Sequence, residues 1–400
     1  MVKEYIRANI GKTIRTNLED KSDLIGLPYP YTVPCADGSF QEMYYWDTYF
    51  TNVGLLEFGM AEQAKNNTDN VLFMIERYGF MPNGSRTYYL SRSQPPYASL
   101  MVKDVYNHFK DIEWLGKAYK TLEKEYEFWQ TKRITPNGLN YYGTNNALDD
   151  FRIKTLYEDF QKRAGKRFDK EENKLEIAQT VCTFVESGWD CNNRFEKDGF
   201  AYNPVCLNSL LFGLEKNMAD FAEILDNDEQ QIWQERAEQR KQKMEKYMLN
   251  PQNGLFMDWN FKEQRFSPVV SAASLYPLFV KLRDDASNEI PLINKLLLKY
   301  GVTCSIADDY EFPLMQWDYP NVWPPIQFIA YRACENYAVD EHKNKIAQAY
   351  VSLIERSMKK TGNLWEKYDG NTGEVTSNEY EAPIMLGWTA GVYIYLKNRI

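Results

Sequence analysis

The stretch ADFAEILDNDEQQIWQERAEQRKQKMEKYML, Ala219 to Leu249, has the spacing of two amphipathic helices. Its apolar residues recur at intervals of three and four, which is the period of one face of an α-helix. The pattern breaks near Asp226 to Asp228, and the second half is strongly charged. The stretch therefore predicts two surface helices joined by a short turn.

The same periodicity covers much of the 400 residues. It recurs in KDIEWLGKAYKTLEKEYEFWQ (Lys110 to Gln130), KNKIAQAYVSLIERSMKK (Lys343 to Lys360) and APIMLGWTAGVYIYLKNRI (Ala382 to Ile400). About a dozen such segments occur, and almost no run alternates as a strand would. We therefore expect an all-α fold.

Loops rich in Gly, Pro and Asn separate these segments and carry Trp and Asp residues, as in NNALDD and QWDYPNVWPPIQ. No Ser- or Gly-rich linker divides the chain, so we expect one domain over residues 1–400. Helices in series with long functional loops favour a single α/α toroid, in which an outer ring of helices surrounds an inner ring. An α-solenoid is the alternative, but no fixed repeat of about 34 or 40 residues is present. The charged run RAGKRFDKEENKLE, residues 163–176, is predicted to be solvated surface.

Composition excludes several classes of function. The net charge of -9 argues against a surface that binds nucleic acid or an anionic membrane. The sequence contains no run of about 18 apolar residues, so we expect no membrane span. The six cysteines form no CxxC pair, and His108 and His342 are the only histidines. We therefore expect no metal site and no cofactor. Aromatic residues reach 15%; many enlarge the core, but flat rings also bind sugars. A small sugar is the expected partner, and the oligomeric state is left open.

The first twenty residues, MVKEYIRANIGKTIRTNLED, contain no apolar leader segment. We therefore expect a reducing, cytoplasmic location. The six cysteines are then expected to be free thiols in the core.

Three Trp-Asp pairs lie in aromatic loops that also contain glycine or proline: Trp46-Asp47, Trp189-Asp190 and Trp317-Asp318. The later loops add the carboxylates of Glu366, Glu379 and Glu381. An aspartate at such a place can simply cap a helix. Paired carboxyls beside aromatic walls, however, suit glycoside hydrolysis, because one protonates the leaving oxygen while the other activates water or attacks the sugar. These residues alone leave a sugar-binding or structural role open.

QWDYPNVWPPIQ resembles a signature of the trehalases, a family of α/α-barrel glycoside hydrolases. PCADGSFQEMYYWDTYF resembles another signature, and FMPNGSRTYYLSRSQPP is similar to a third stretch of that family. ESGWDCNNRF and EKYD…EY…GWTAGV follow in the family's order, so the resemblance runs from about Leu27 to Leu396. It implies the fold of an (α/α)6 barrel and the activity of an inverting α-glycosidase.

The resemblance also implies catalytic roles. Asp190 would be the general acid and Glu366 the general base, with their carboxyls roughly 6.5–9.5 Å apart to admit one water. Asp190 as a helix cap and Glu366 as a surface residue are the structural alternatives. Glu379 replaces Glu366 as the base if the motif is shifted.

The implied substrate-binding positions are Phe40, Trp46, Asp47, Asn83, Arg92, Gln94, Arg152, Trp189, Gln316, Trp317, Trp323 and Glu379. Among these, Trp323 would stack on a glucose ring and Glu379 would support the attacking water. Core packing remains the alternative for the tryptophans, and a structural ion pair is the alternative for Arg92.

Three departures from the family pattern affect the expected substrate. Ser39 stands where an arginine normally precedes the phenylalanine, Lys154 stands where a sugar-binding glutamate is normal, and GNTGEVTSN replaces a glycine-rich run. Trehalose is the first expected substrate. Kojibiose, an oligosaccharide, glucosylglycerate and mannosylglycerate remain alternatives, since a lysine could favour an acidic aglycone. A non-catalytic sugar-binding relative is the alternative from another class.

Overall fold

The computed structural model of the protein describes residues 1–164, 174–308, 314–377 and 379–400, and fourteen α-helices lie within them. Their bounds are α1 (Val2–Asn9), α2 (Tyr45–Glu57), α3 (Ala61–Tyr78), α4 (Ala98–Phe109), α5 (Ile112–Lys132), α6 (Asp150–Ala164), α7 (Lys174–Ser187), α8 (Val205–Ile224), α9 (Gln230–Met248), α10 (Tyr276–Phe279), α11 (Glu289–Leu296), α12 (Pro324–Asn336), α13 (Asp340–Thr361) and α14 (Gly387–Lys397). Strands in these ranges are only two residues long and pair antiparallel. They are β1 (Ile14–Arg15), β2 (Tyr31–Thr32), β3 (Tyr202–Asn203), β4 (Trp259–Asn260), β5 (Arg265–Phe266), β6 (Leu297–Leu298), β7 (Gly301–Val302), β8 (Asn321–Val322) and β9 (Tyr368–Asp369). The all-α prediction is confirmed.

Six helices form a closed inner ring. In the order α2, α4, α8, α10, α12, α14, each helix contacts the next, and α14 contacts α2. Apart from α4, which exposes Asn107 and His108, these helices are buried around most of their circumference and are correspondingly apolar. In α2, for example, every residue from Tyr45 to Leu55 is buried. This ring confirms the predicted α/α toroid.

The outer layer consists of amphipathic helices: α3 packs on α2 and α4, α5 on α4 and α8, α9 on α8, and α13 on α12 and α14. Helix α9 follows the predicted period closely. Its buried residues, spaced at three and four, are Trp233, Ala237, Arg240, Met244 and Met248. A single stripe of this kind is what an outer helix needs in order to pack against an inner one.

The turn between α8 and α9 lies where the sequence predicted it, but α8 is not a surface helix. It begins at Val205, belongs to the inner ring, and is buried over most of its length, including Ala219, Phe221 and Ala222. The charged residues that follow Ala222 suggested exposure, whereas the apolar turns before Ala219 determine the position of the helix. Most of the charged run at 163–176 falls on residues 165–173, outside the described residues, so its predicted exposure stays a prediction.

The two ends of the chain meet where α14 packs on α2. A Cβ atom added to Gly54 would lie 2.2 Å from the Cα of Gly391, so neither position has room for a side chain. The six cysteines are buried free thiols. Within the described ranges, no helix combines the length and apolar character that a membrane span requires.

Candidate active site

An open cavity lies at the N-terminal ends of the inner helices. Its empty space, including the mouth, is about 610 Å³, which is in the range of small-molecule sites. Trp46 and Asp47 belong to the first turn of α2, Trp323 immediately precedes α12, and Trp388 lies in the first turn of α14. The inner ring thus positions the lining residues from several distant parts of the chain.

Most of the residues predicted from the sequence line this cavity. They are Phe40, Trp46, Asp47, Asn83, Arg92, Gln94, Asp190, Gln316, Trp317, Trp323 and Glu366. Their catalytic and binding roles stay predictions, because lining a cavity does not by itself assign a role.

One wall of the cavity is formed by QWDYPNVWPP, Gln316 to Pro325. Trp317 and Trp323 stack with ring centroids 3.9 Å apart and planes 8° apart, and the Trp323 indole N–H donates to the Gln316 carbonyl at 2.8 Å. Strand β8 in this stretch pairs with β9, which follows Glu366 by two residues. The pairing fixes the aromatic wall relative to that carboxylate.

Asp318 braces the wall instead of lining the cavity. It is fully buried and accepts hydrogen bonds from the backbone N–H and side-chain amide of Asn193, at 3.1 and 2.7 Å. It also accepts one from the backbone N–H of Met315 at 3.1 Å. The loop that carries Asp190 is thereby attached to the aromatic wall.

A second brace lies behind Asp190. The buried Glu186, at the end of α7, accepts from Arg133 Nε at 2.7 Å and from the backbone N–H of Ser93 at 2.8 Å. Ser93 lies between Arg92 and Gln94, so this ion pair connects two segments of the cavity lining. Gly188 then turns with φ +73°, where a Cβ would lie 2.7 Å from the Trp46 ring. Glycine allows the chain to bring Asp190 past Trp46.

The carboxyl of Asp190 is in an environment that favours its protonated form. Burial raises its pKa, and the positive charges of Arg92, Arg163 and Lys367 oppose that shift. A raised pKa favours the protonated form that a general acid needs.

Glu366 is 3% exposed, and burial raises its pKa to about 7. The Lys367 ammonium, 4.0 Å from Oε2, and a hydrogen bond donated by the Tyr380 hydroxyl at 2.8 Å lower that pKa, while the charge of Asp190 raises it. Asp47 adds a third carboxyl; burial raises its pKa well above the usual range, and the charges of Glu366 and Asp190 add to the shift. Three carboxyls that disfavour one another's ionisation therefore share the cavity.

The polar groups opposite these carboxyls are held in place by backbone contacts. The Asn83 backbone N–H donates to the Arg92 carbonyl at 3.0 Å, and Gln94 Oε1 accepts from the Trp46 backbone N–H at 3.1 Å. Arg92 Nε is buried and has no hydrogen-bond partner in the described part of the chain. The residue itself lines the cavity, so the contact with a bound ligand falls to the accessible part of the Arg92 side chain.

Three predicted binding residues are not among the lining residues. Arg152 is exposed in the first turn of α6. Trp189 is 1% exposed and lies beneath Trp317, with centroids 5.6 Å apart and the Arg194 guanidinium 4.4 Å from its own ring. Glu379 lies behind the aromatic wall, where Oε1 accepts from the Gln316 backbone N–H at 3.1 Å and Oε2 is 4.0 Å from Arg163 Nη1.

Two of the three departures from the family pattern, Lys154 and Ser39, also lie outside the lining. The Lys154 side chain is 71% exposed, and its ammonium is 3.8 Å from Glu158, one helical turn further along α6. Ser39 is exposed in the loop before α2. Lys154 is therefore not among the described residues that line the cavity.

The sequence interpretation missed seven lining residues: Tyr44, Tyr89, Val185, Gly188, Tyr380, Met385 and Trp388. All seven lie inside or beside the motifs quoted above, which is the signal that could have identified them. Trp388 packs edge-on against Trp323, with centroids 5.9 Å apart. The hydroxyls of Tyr44 and Tyr89 lie 2.9 Å apart at the other side of the cavity. In the described residues, no three His, Cys, Asp or Glu side chains are grouped so as to hold a metal ion.

Comparison with known proteins identifies relatives along the whole chain. The family described as Trehalase matches residues 2–400. A periplasmic trehalase of Pseudomonas aeruginosa is 33% identical over 94% of this chain and 72% of its own length. A periplasmic trehalase of Escherichia coli is 32% identical over 96% of this chain and 71% of its own length.

These relatives correct the expected cytoplasmic location. They are periplasmic trehalases, as is a relative from Xanthomonas campestris that is 31% identical, so the comparison points to the periplasm. The cysteines did not exclude this location, because thiols that are buried apart from one another can remain unpaired in an oxidising compartment.

Solved structures agree with the family assignment. The neutral trehalase of Saccharomyces cerevisiae superposes with a TM-score of 0.79 at 27% identity, covering 93% of this chain and 74% of the yeast chain. A mannosylglycerate hydrolase of Thermus thermophilus, at 15% identity and a TM-score of 0.69, covers 99% of this chain and all of its own; at that identity it supports the fold alone. Because the family model matches residues 2–400 and relatives are more than 30% identical over most of the chain, the chain belongs to the trehalase family of glycoside hydrolases.

Proposed function

We propose that the protein hydrolyses trehalose to two glucose molecules with inversion at the attacked anomeric carbon. One observation supports this most: Asp190 and Glu366 both line a single aromatic cavity in a chain related to trehalases. Two carboxyls with separate acid and base roles are what inverting glycoside hydrolysis needs.

Asp190 is proposed as the general acid. Because burial raises its pKa, it can deliver a proton to the glycosidic oxygen as the bond to the anomeric carbon breaks. The departing glucose then leaves as a neutral alcohol. Asp190 would regain its proton from solvent once the products have left.

Glu366 is proposed as the general base. Its ionised carboxylate would accept a proton from the water that attacks the opposite face of the sugar ring. The Tyr380 hydrogen bond and the Lys367 ammonium supply the stabilisation that this negative charge needs in a buried site. Glu379 is not favoured as the base, because it lies behind Gln316 and does not line the cavity.

The sugar hydroxyls would be bound by polar groups around the cavity. Arg92, Asn83 and Gln94 line the cavity together, and the guanidinium and the two amides supply hydrogen-bond donors there. The aromatic wall would contact the C–H surfaces of the rings, and we propose that Trp388 and Tyr89 share this role with Trp323. Trp323 is 1% exposed and one of its faces is covered by Trp317, so a sugar could touch only the small part of its ring that reaches the cavity.

Trehalose is preferred over an acidic glycoside because no lysine reaches the cavity from the position that suggested one. Lys154 is exposed and pairs with Glu158. Hydrolysis of trehalose, kojibiose, glucosylglycerate and mannosylglycerate by the purified protein should be compared, with released glucose as the readout. Trehalose should be cleaved fastest.

The stereochemistry gives a sharper test. Trehalose joins two α-anomeric carbons, so inversion at one of them yields one β-glucose and one α-glucose in equal amounts. Proton NMR in the first minutes, before mutarotation, should show this ratio. Formation of α-glucose alone would contradict inversion, and release of no glucose from any of the four sugars would contradict hydrolysis.

Two variants test the assigned roles. Asp190→Asn and Glu366→Gln should each lower kcat by about 100-fold or more, because each removes one proton transfer from the transition state. Trehalose binding, followed by the fluorescence of the cavity tryptophans, should persist in both. Glu379→Gln should retain more activity than Glu366→Gln; the reverse order would make Glu379 the base.

A further inference from the structure

We infer that Lys367 is a positioning residue for the hydrolysis proposed above: its buried ammonium holds Glu366 as the ionised base and fixes the side-chain amide of Gln316. The inference rests on the proposed function, because it names Glu366 as the base. It concerns a residue that does not line the cavity and would not touch the sugar.

Lys367 is buried in an aromatic environment. Its side chain is 0% exposed, and its ammonium lies 3.7 Å from the centroid of the Tyr380 ring and 5.2 Å from that of Trp323. A buried ammonium is costly unless negative or polar groups compensate for its lost hydration. Aromatic faces supply part of that compensation through their quadrupoles.

Further compensation comes from the catalytic side of the molecule. The Lys367 ammonium lies 4.0 Å from Glu366 Oε2 and donates a hydrogen bond to Gln316 Oε1 at 2.7 Å. Tyr380 contacts both charges, because its ring lies against Lys367 while its hydroxyl donates to Glu366. Lysine, tyrosine and glutamate therefore form one buried unit.

The contact with Gln316 has a consequence for ligand binding. Because Gln316 Oε1 accepts from Lys367, the side-chain amide can turn only its N–H donors toward the cavity that it lines. The backbone of Gln316 is held as well, since its carbonyl accepts from Trp323 and Asn321 and its N–H donates to Glu379. A donor of fixed direction suits a sugar hydroxyl.

The charge of Lys367 matters because the surroundings of Glu366 otherwise favour the neutral acid. The ionisable groups that act on this pair from the neighbouring segments are Cys35, Asp47, Arg163, Asp190, Cys191, Glu379 and Tyr380. Three of them are carboxyls, and burial adds to their effect. Burial also lowers the pKa of Lys367, but Glu366 and Glu379 oppose that shift, so the pair can persist as ammonium and carboxylate.

The test compares three substitutions by their pH profiles. Lys367→Met keeps the length of the side chain and removes the charge, Lys367→Gln removes the charge but retains a donor for Gln316, and Lys367→Arg keeps both. For Lys367→Met and Lys367→Gln, the acid limb of kcat/KM should move up by about one pH unit or more, which lowers kcat/KM about tenfold on that limb. The loss should shrink as the pH rises. Lys367→Arg should keep the acid limb of the wild-type protein.

A purely structural role would give another result. It would lower activity by the same factor at every pH, and Lys367→Arg would resemble Lys367→Met. An acid limb that is unchanged in both neutral variants overturns the inference, as does an arginine variant whose limb moves with theirs. Circular dichroism and thermal unfolding identify any variant that fails to fold, and if Lys367→Met does, Lys367→Gln and Lys367→Arg still decide the question.

Failure of the proposed function is distinguishable, because it is a property of the wild-type protein. If that protein cleaves none of the four sugars, hydrolysis fails before any variant is made. If it cleaves trehalose but the neutral variants keep its pH profile, only the role of Lys367 fails.

Discussion

Tyr380 donates a hydrogen bond to Glu366 at 2.8 Å, and with the Lys367 ammonium it opposes the burial that disfavours the charge of that carboxylate. Tyr380→Phe should therefore raise the pKa of Glu366 above its value of about 7, because the ionised form loses a donor. A base that must be ionised is then protonated up to a higher pH. The variant's kcat/KM should therefore be about tenfold lower than the wild-type value at pH 6 and should approach that value at pH 8. Stopped glucose-release assays across this range measure the effect. An equal loss at both pH values would contradict it.

Among single residues, the sequence could predict those whose immediate neighbours along the chain form a recognisable motif. Asp190 and Glu366 lie in the short strings GWDC and EKYD, and both line the cavity. Trp189 lies in the same string as Asp190 but is buried beneath Trp317, because successive residues of a loop point in different directions. The contact of Lys367 with Gln316 spans 51 positions, so no local pattern could reveal it.

Helices α2 and α14 approach each other more closely than side chains would allow. A Cβ on Gly391 would lie 2.1 Å from the Phe50 carbonyl oxygen, a backbone atom that cannot rotate away. Gly391→Ala should therefore force the helices apart and destabilise the protein by about 2 kcal/mol or more. Because α2 carries Trp46 and Asp47, activity should fall as well. Thermal unfolding and glucose release measure the two effects.

Gly116→Ala is the matched control for that substitution. Gly116 is also a helical glycine, in α5, but its Cβ would meet only Leu225 Cδ2, at an ordinary 3.7 Å. Alanine has the higher helix propensity, so this change should be neutral or stabilising by up to about 1 kcal/mol. If both substitutions destabilise equally, the close approach of α2 and α14 is not the cause.

The elements differ in how well the sequence predicted them. Helix α9 has one polar and one apolar face, so its periodicity defined both its type and its position on the outer layer. Helices α8 and α14 belong to the inner ring and are apolar on nearly all sides, so periodicity alone could not orient them. Helix α14 also begins at Gly387 and not at Ala382, because residues 382–386 follow an irregular path that brings Met385 to the cavity.

At the scale of the whole molecule, the inner ring closes through the contact of α14 with α2. We propose that residues 1–400 fold as one domain, because opening the ring at this contact would expose the apolar sides of helices from both ends of the chain. Chemical unfolding should then be one cooperative transition by both circular dichroism and tryptophan fluorescence. Two separated transitions would indicate two units.

Buried carboxyls, only one of which lines the cavity, impose a pH dependence on the stability of this domain. Six carboxyls have pKa values that burial raises well above those of an unfolded chain: Glu125, Glu289, Glu366 and Glu379 to about 7, and Asp104 and Asp318 to about 6. Each binds a proton more tightly in the folded protein than in the unfolded chain. Their contribution to the free energy of unfolding is therefore complete below about pH 4 and is lost as the pH rises through about 6 to 7.

We accordingly expect the free energy of unfolding to fall by about 2 kcal/mol or more between pH 5 and pH 8 at constant ionic strength. Glu125→Gln should reduce this slope, because Glu125 is fully buried and bonded to the Tyr45 hydroxyl, which can still donate to an amide oxygen. The control is Glu113→Gln on the same helix, whose side chain is 83% exposed and should leave the slope unchanged. Urea unfolding at four pH values measures all three proteins. Stability that rises with pH over this range would show that these carboxyls are ionised in the folded protein, and it would remove the reason why Glu366 depends on Tyr380 and Lys367.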